Sequence, residues 1–327
     1  MKKIFLLIMM MTVMSAQAHQ PALLNWSEAS PAPAFSILNS QFSIHDSLIM
    51  QLMPEIPSTL TEPHQRAQYL ASHFWDKINL KDIDFLEKDD LLERMFVDYA
   101  EVLSLLSGED CTKSIEHLLA LSEATPAFLP IINLSEKYLY MPDSHVADEE
   151  KFIPFMQYAL KSKVLEDVEK IRPQFLLENA MKNRLGTVAG DFTYTLPNDE
   201  TGSLHGITTD YTLLFFKDPE CEDCAALTKR LIFSILINEN ISQGKLKIIA
   251  VYTGEDLEVW KHHSSDVLNS WIYARDAGQR INAERLYDVK HYPTLYLLAG
   301  DKKVLLKDTT IEKIEDYLKN IYGRSKS

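Results

Sequence analysis

The sequence predicts an all-α domain followed by an α/β domain, and three observations lead there. Apolar residues keep a helical period from about Thr61 to Leu185. After Gly186 the pattern changes to alternating and continuous apolar runs, in the order strand, helix, strand, helix, hairpin, helix. A C-x-x-C pair stands directly after the first continuous run. With 327 residues, the chain has the length of about two domains.

The N-terminus reads as a secretory signal over residues 1–18. Lys2 and Lys3 form a basic start, Ile4 to Val13 is apolar, and Ala16-Gln17-Ala18 is a small-x-small cleavage site. The apolar stretch is too short to span a bilayer, and no cysteine follows the site to carry a lipid. The expected destination is the periplasm, with no stable membrane insertion after cleavage. Residues 19–56 carry scattered Pro, Ser and Asn and read as an extended arm with little helix.

The predicted helical domain covers residues 57–185. Thr61-Glu62-Pro63 is a helix start, with proline where its missing N–H costs nothing. Leu91, Leu92, Met95, Phe96, Tyr99, Val102 and Leu106 make an i, i+3, i+4 stripe, and Ile115, Leu118 and Leu119 continue it. Phe128, Ile131, Ile132 and Leu139 follow, then Phe152, Phe155, Met156 and Leu160, then Leu165, Val168, Phe175 and Leu176. Gly186 sits where a helix would end in a left-handed cap. No catalytic motif lies in this region, and it is expected to fold separately from the α/β domain.

The predicted α/β domain covers residues 186–327. Asp191 to Leu196 alternates and Asn198 to Gly202 turns, which makes a hairpin. Tyr211 to Phe216 is apolar throughout, as in a strand buried on both faces. A helix is expected from about Glu222 to Asn238, a second buried strand over Lys247 to Tyr252, and helix through Ile281 to Tyr287. Thr294 to Ala299 and Lys303 to Lys307 form a hairpin across Gly300-Asp301, and Thr310 caps a last helix.

Three cysteines, Cys111, Cys221 and Cys224, are too few for a disulfide scaffold in a chain this long. Cys221 would stand just before a helix, where unsatisfied N–H groups and the helix dipole stabilise a thiolate. Cys224, one turn further in, would be shielded and would resolve a mixed disulfide. A static disulfide or two buried thiols would use the same spacing. Cys111 follows Glu109-Asp110 near a helix start and reads as a packing residue.

With the strand order in place, the segment Phe215-Phe216-Lys217-Asp218-Pro219-Glu220-Cys221-Glu222-Asp223-Cys224 resembles the redox turn of the thioredoxin-like superfamily. About seventy residues on, Tyr287-Asp288-Val289-Lys290-His291-Tyr292-Pro293-Thr294 resembles that superfamily's cis-proline segment. The early hairpin and an insert over Trp271 to Tyr287 are similar to the exported TlpA/ResA branch. Tyr69-Leu70, His73-Phe74-Trp75-Asp76 and Glu136-Lys137-Tyr138-Leu139-Tyr140 resemble a helical domain of unknown function fused before such modules. The resemblance implies thiol–disulfide exchange at Cys221 and Cys224, with Tyr292, Pro293 and Thr294 beside the substrate backbone. It implies no cofactor beyond the redox-active disulfide itself. Two departures stand out. Phe215 fills the position where many members bury an acid, and Glu220 replaces the usual Trp before the first cysteine.

Asp218, Glu220, Glu222 and Asp223 crowd Cys221, and Lys217 is the one nearby cation in sequence. Those carboxylates, Glu220, Glu222 and Asp223 above all, oppose the thiolate and point to a reducing pair. A net charge of -14 argues against nucleic acid as a partner. The peroxiredoxin motif is missing, since Leu214 and Asp218 fill its Pro and Thr positions. A zinc site would need two more ligands, and Cys111, His262 and His263 qualify only by type. The expected activity is reduction of disulfides in other exported proteins, re-energised by an unidentified electron donor. The alternative is a thioredoxin-fold module without catalysis, whose helical domain captures a peptide or protein.

Overall fold

The computed structural model describes residues 49–324, so the predicted signal over 1–18 and the arm as far as 48 lie outside the described residues. The helical period is realised as α1 (Pro63–His73), α2 (Ile83–Glu87), α3 (Leu91–Ser104), α4 (Gly108–Ser122) and α5 (Phe128–Ser135). A π-helical turn at Glu136–Tyr140, α6 (Glu149–Lys161) and α7 (Asp167–Ala180) come next. The stripe on α3 buries Leu91, Leu92, Met95, Phe96, Tyr99 and Val102 against the other helices. A polar relay locks three of the helical segments together. The Tyr99 hydroxyl meets Ser114 Oγ at 2.7 Å, and Ser114 donates to the Ala71 carbonyl at 2.8 Å. Both side chains are enclosed, so the relay spares them an unpaired polar group.

Three sequence expectations change here. Residues 49–52 are helical, and Ile49 and Met53 pack in the helical core instead of forming a linker. α7 turns Val168 and Phe175 outward, at 70% and 46% exposure, because it buries Pro173, Leu176, Asn179 and Ala180. Gly186 does take the left-handed conformation (φ 78°), but six residues beyond the end of α7. A Cβ there would meet open space, so backbone conformation and not room favours glycine. The Gly186 N–H donates to Val304 O at 2.8 Å, which ties the residue to the sheet of the second domain.

That sheet has seven strands in the order β2-β1-β5-β4-β3-β6-β7. They are β1 (Thr193–Thr195), β2 (Thr201–Ser203), β3 (Tyr211–Phe216), β4 (Leu246–Tyr252), β5 (Ile272–Arg275), β6 (Thr294–Ala299) and β7 (Val304–Leu306). Helices α8 (Glu222–Phe233), α9 (Ile235–Ser242), α10 (Leu257–His262), α11 (Arg280–Ala283) and α12 (Ile311–Arg324) lie between and after them. β3 runs parallel to β4 and antiparallel to β6, so the expected βαβ and ββα units meet at the centre of the sheet. A helical N-terminal region thus precedes a mixed sheet flanked by helices, a thioredoxin-like fold.

The predicted insert over Trp271 to Tyr287 contributes β5, which pairs parallel with β4. The helix expected to run from Glu222 to Asn238 breaks at Ser234, whose backbone is extended and whose side chain caps α9 by accepting the Ile237 N–H at 3.3 Å. The helix expected through Tyr287 is one turn, α11. Along β3, Leu213 and Phe215 face one core, and Leu214 and Phe216 face the other. That alternation decides what lies beneath the cysteines.

Candidate active site

β3 ends at Phe216 and α8 begins at Glu222, so the turn between them must place Cys221 at the helix N-cap. Its backbone is extended and its sulfur accepts the Cys224 N–H at 3.1 Å, the bond an N-cap hydroxyl makes elsewhere. The same thiol lies 3.6 Å from the Tyr292 carbonyl oxygen, to which it can donate. The Tyr292–Pro293 peptide bond is cis, as the resemblance implied, and the segment 292–294 packs beside the cysteine turn at the start of β6. The Tyr292 hydroxyl is hydrogen-bonded to Thr253 Oγ1, and Thr294 Oγ1 donates to the His291 carbonyl at 2.7 Å. Thr253 was not legible as a partner from sequence, since it lies on the loop after β4.

Both cysteines of the motif are free thiols, but they differ in access. Cys221 is half-buried, whereas Cys224 is fully enclosed in the core under α8. Burial pushes the Cys224 thiol up to about 12, with the Cys221 contact adding to the rise. Glu220, Glu222 and Asp223 are all exposed. Glu222 and Asp223 occupy the first turn of α8, where negative charge favours the helix, so they have a structural reason to be there besides any effect on sulfur.

Lys217 is the residue that sequence reasoning undervalued. It is 2% exposed, and its ammonium lies 6.0 Å from the Phe215 ring centre and 5.9 Å from that of Tyr273. Phe215, Tyr273 and Cys224 share one core, so Lys217 continues the Leu213–Phe215 face to the end of the strand. Burial lowers its pKa, while Asp266, Cys224, Cys221 and Asp218 oppose the change. The signal was available: two residues beyond Phe215 in strand register is the same face. Cys111 is remote from this site and buried in the helical core. His262 is exposed and His263 pairs with Asp266 at 2.7 Å.

The Thioredoxin-like family matches residues 209–304, which include the cysteine turn and the 292–294 segment. A thioredoxin-like protein from Bacteroides caccae is 37% identical, covers 81% of this chain and 96% of its own, and superposes with a TM-score of 0.79. The chain belongs to the thioredoxin-like family. In this thioredoxin-like protein residues 26–183, which include the described helices α1 to α7, match a domain of unknown function (DUF5106). The C-terminal domain of an uncharacterized protein from Bacteroides fragilis is 43% identical over 42% of this chain and 97% of its own, with a TM-score of 0.41. The thioredoxin domain of a thiol-disulfide oxidoreductase from Bacteroides vulgatus is 20% identical over 42% and 97%, with a TM-score of 0.36, a likeness too slight to carry activity across. No curated protein matches the sequence. Among the described residues, no helix of this thioredoxin-like protein is long and apolar enough to cross a membrane.

Proposed function

We propose that this protein is an exported thiol–disulfide oxidoreductase that reduces disulfides in other exported proteins through Cys221 and Cys224. The observation that carries the reading is the asymmetry of the pair. One thiol is accessible at a helix N-cap, and the other is enclosed one turn behind it within reach of the first. The Cys221 thiolate attacks a substrate disulfide, forming a Cys221–substrate bond and releasing one substrate thiolate. Cys224 then loses its proton and attacks the Cys221 sulfur. The second substrate thiolate leaves, and the pair is left as a disulfide. Two electrons pass to the substrate, and an external dithiol donor returns them to the protein. The signal-like N-terminus motivates the periplasmic setting, and no cofactor is needed for these steps.

The test is reduction of insulin with dithiothreitol supplied to regenerate the dithiol, comparing wild type with Cys221→Ser and with dithiothreitol alone. Turnover above dithiothreitol alone by wild type and none by the variant supports the reading. Equal, negligible reduction above that background by both would leave a binding module as the better description.

A further inference from the structure

We infer that the helical domain is part of the catalytic unit, with Glu149 and Tyr140 acting as positioning residues that hold the 288–292 loop against Cys221. The inference rests on the proposed thiol exchange.

Five charged side chains are buried where α6 meets the loops before and after the hairpin. Lys290 and Lys307 are each 6% exposed, Asp288 10%, Asp308 11% and Glu149 13%. Glu149 comes from the helical domain, and the other four come from the α/β domain. Its carboxylate takes Lys290 on one oxygen and Lys307, at 2.5 Å, on the other. Lys290 also meets Asp308 at 2.7 Å and Asp288 at 3.6 Å. The Tyr140 hydroxyl donates to Asp288 Oδ2 at 2.5 Å, and the Lys290 ammonium sits 4.0 Å over the Tyr140 ring. Farther along the seam, Lys307 donates to the Lys182 carbonyl at 2.7 Å, and Asn183 Nδ2 donates to the Leu286 carbonyl at 2.9 Å.

A buried ion cluster is a weak source of stability, because desolvating each charge offsets most of the attraction gained. What it supplies is geometry: removing Glu149 leaves the Lys307 ammonium without a carboxylate and takes one of three from Lys290, so the buried charges favour one alignment. Here that alignment fixes Asp288 and Lys290, four and two residues before the Tyr292 carbonyl that sits 3.6 Å from the Cys221 sulfur. Burial works to lower the Lys290 pKa, but Asp308 and Glu149 outweigh it and hold the ammonium charged, whereas burial raises the Glu149 carboxyl against the pull of Lys290 and Lys307. The abrupt change of period near Gly186 suggested a helical domain that folds separately. The seam argues the reverse, since it grips the substrate-side loop and not a distant edge of the sheet.

The test uses the full chain with Tyr140→Phe, Glu149→Gln and Glu149→Ala. A protein disulfide needs the Tyr292 backbone edge as well as Cys221, whereas the small disulfide of Ellman's reagent needs only Cys221. With dithiothreitol regenerating the dithiol, we expect kcat/KM on insulin to fall about five- to tenfold, mainly through KM, with the single-turnover Ellman's rate of the pre-reduced protein within about twofold of wild type. Amide exchange over residues 286–292 should speed up in the same variants, which reads the contact whether or not insulin is turned over. Lys290→Arg should retain more insulin activity than Lys290→Met. Equal loss on both substrates, or unchanged insulin kinetics with unchanged loop exchange, would overturn the inference. A wild type inert toward insulin would instead count against the proposed activity, and the exchange data would still decide the role of the seam. If Glu149→Ala fails to fold, Tyr140→Phe carries the test, since it removes one hydroxyl and keeps the ring.

Discussion

The sulfur of Cys221 accepts the backbone N–H of Cys224 at 3.1 Å, which makes the more accessible thiol the N-cap of the helix that buries its partner. The accessible sulfur therefore pairs with a donor that would otherwise go unpaired. The enclosed position has burial working against ionisation.

Order of alkylation follows from that contrast. At limiting iodoacetamide near neutral pH, peptide mapping of the reduced protein should find the label on Cys221. Cys224, pushed up to about 12, should stay unlabelled until strongly alkaline pH or unfolding. Label appearing first on Cys224 would reverse the assignment.

Lys217 should assist the second step. It is the buried cation on the Cys224 face, and its charge favours the thiolate that attacks the mixed disulfide. Lys217→Met keeps the bulk and removes the charge. We expect a several-fold slower resolution step and a longer-lived mixed disulfide in rapid-quench experiments, with initial attack little changed. Equal slowing of both steps would point to a packing role alone.

The fold was readable because its periods are clean. The stripe on α3 and the run over β3 each announce one element, and the cysteine turn sits between a buried strand and a capped helix. β5 was lost because four residues, Ile272–Arg275, offer too little pattern to separate a strand from an insert. The break at Ser234 was lost because apolar residues continue on both sides while a side-chain cap stops the helix. In the site, Cys221, Cys224 and 292–294 were legible as local motifs. Thr253, Glu149 and Tyr140 reach their partners only through tertiary packing, and no spacing in the sequence encodes that.

The exposed acids should tune the pair only modestly. Charges that turn into water are screened, so Glu220→Gln, Glu222→Gln and Asp223→Asn together should raise the Cys221 alkylation rate by less than about threefold at roughly 0.15 M salt. The wild-type potential, read by glutathione titration, should lie nearer the roughly -270 mV of a reductant than the roughly -120 mV of a strong oxidant. A value at the oxidising end would show that the charge argument has the wrong sign.

Alkaline pH should expose the cost of buried thiols. Burial pushes Cys111 up to about 11, against roughly 8.5 in an unfolded chain. The unfolded state therefore releases its proton first, and stability falls as pH rises from about 8.5 to the folded value. Cys111→Ala should flatten that decline by on the order of 2 kcal/mol in urea melts between about pH 8 and 11. An unchanged slope would mean the thiol ionises as readily folded as unfolded.

The most direct test of thiol exchange is capture of the mixed disulfide itself. Cys224→Ser removes the resolving thiol, so the variant, exposed to periplasmic extract or to insulin, should accumulate adducts that mass spectrometry maps to Cys221 and that dithiothreitol releases. Cys221→Ser should trap nothing. Adducts on Cys224 in the Cys221→Ser protein, or none in either variant, would contradict the account.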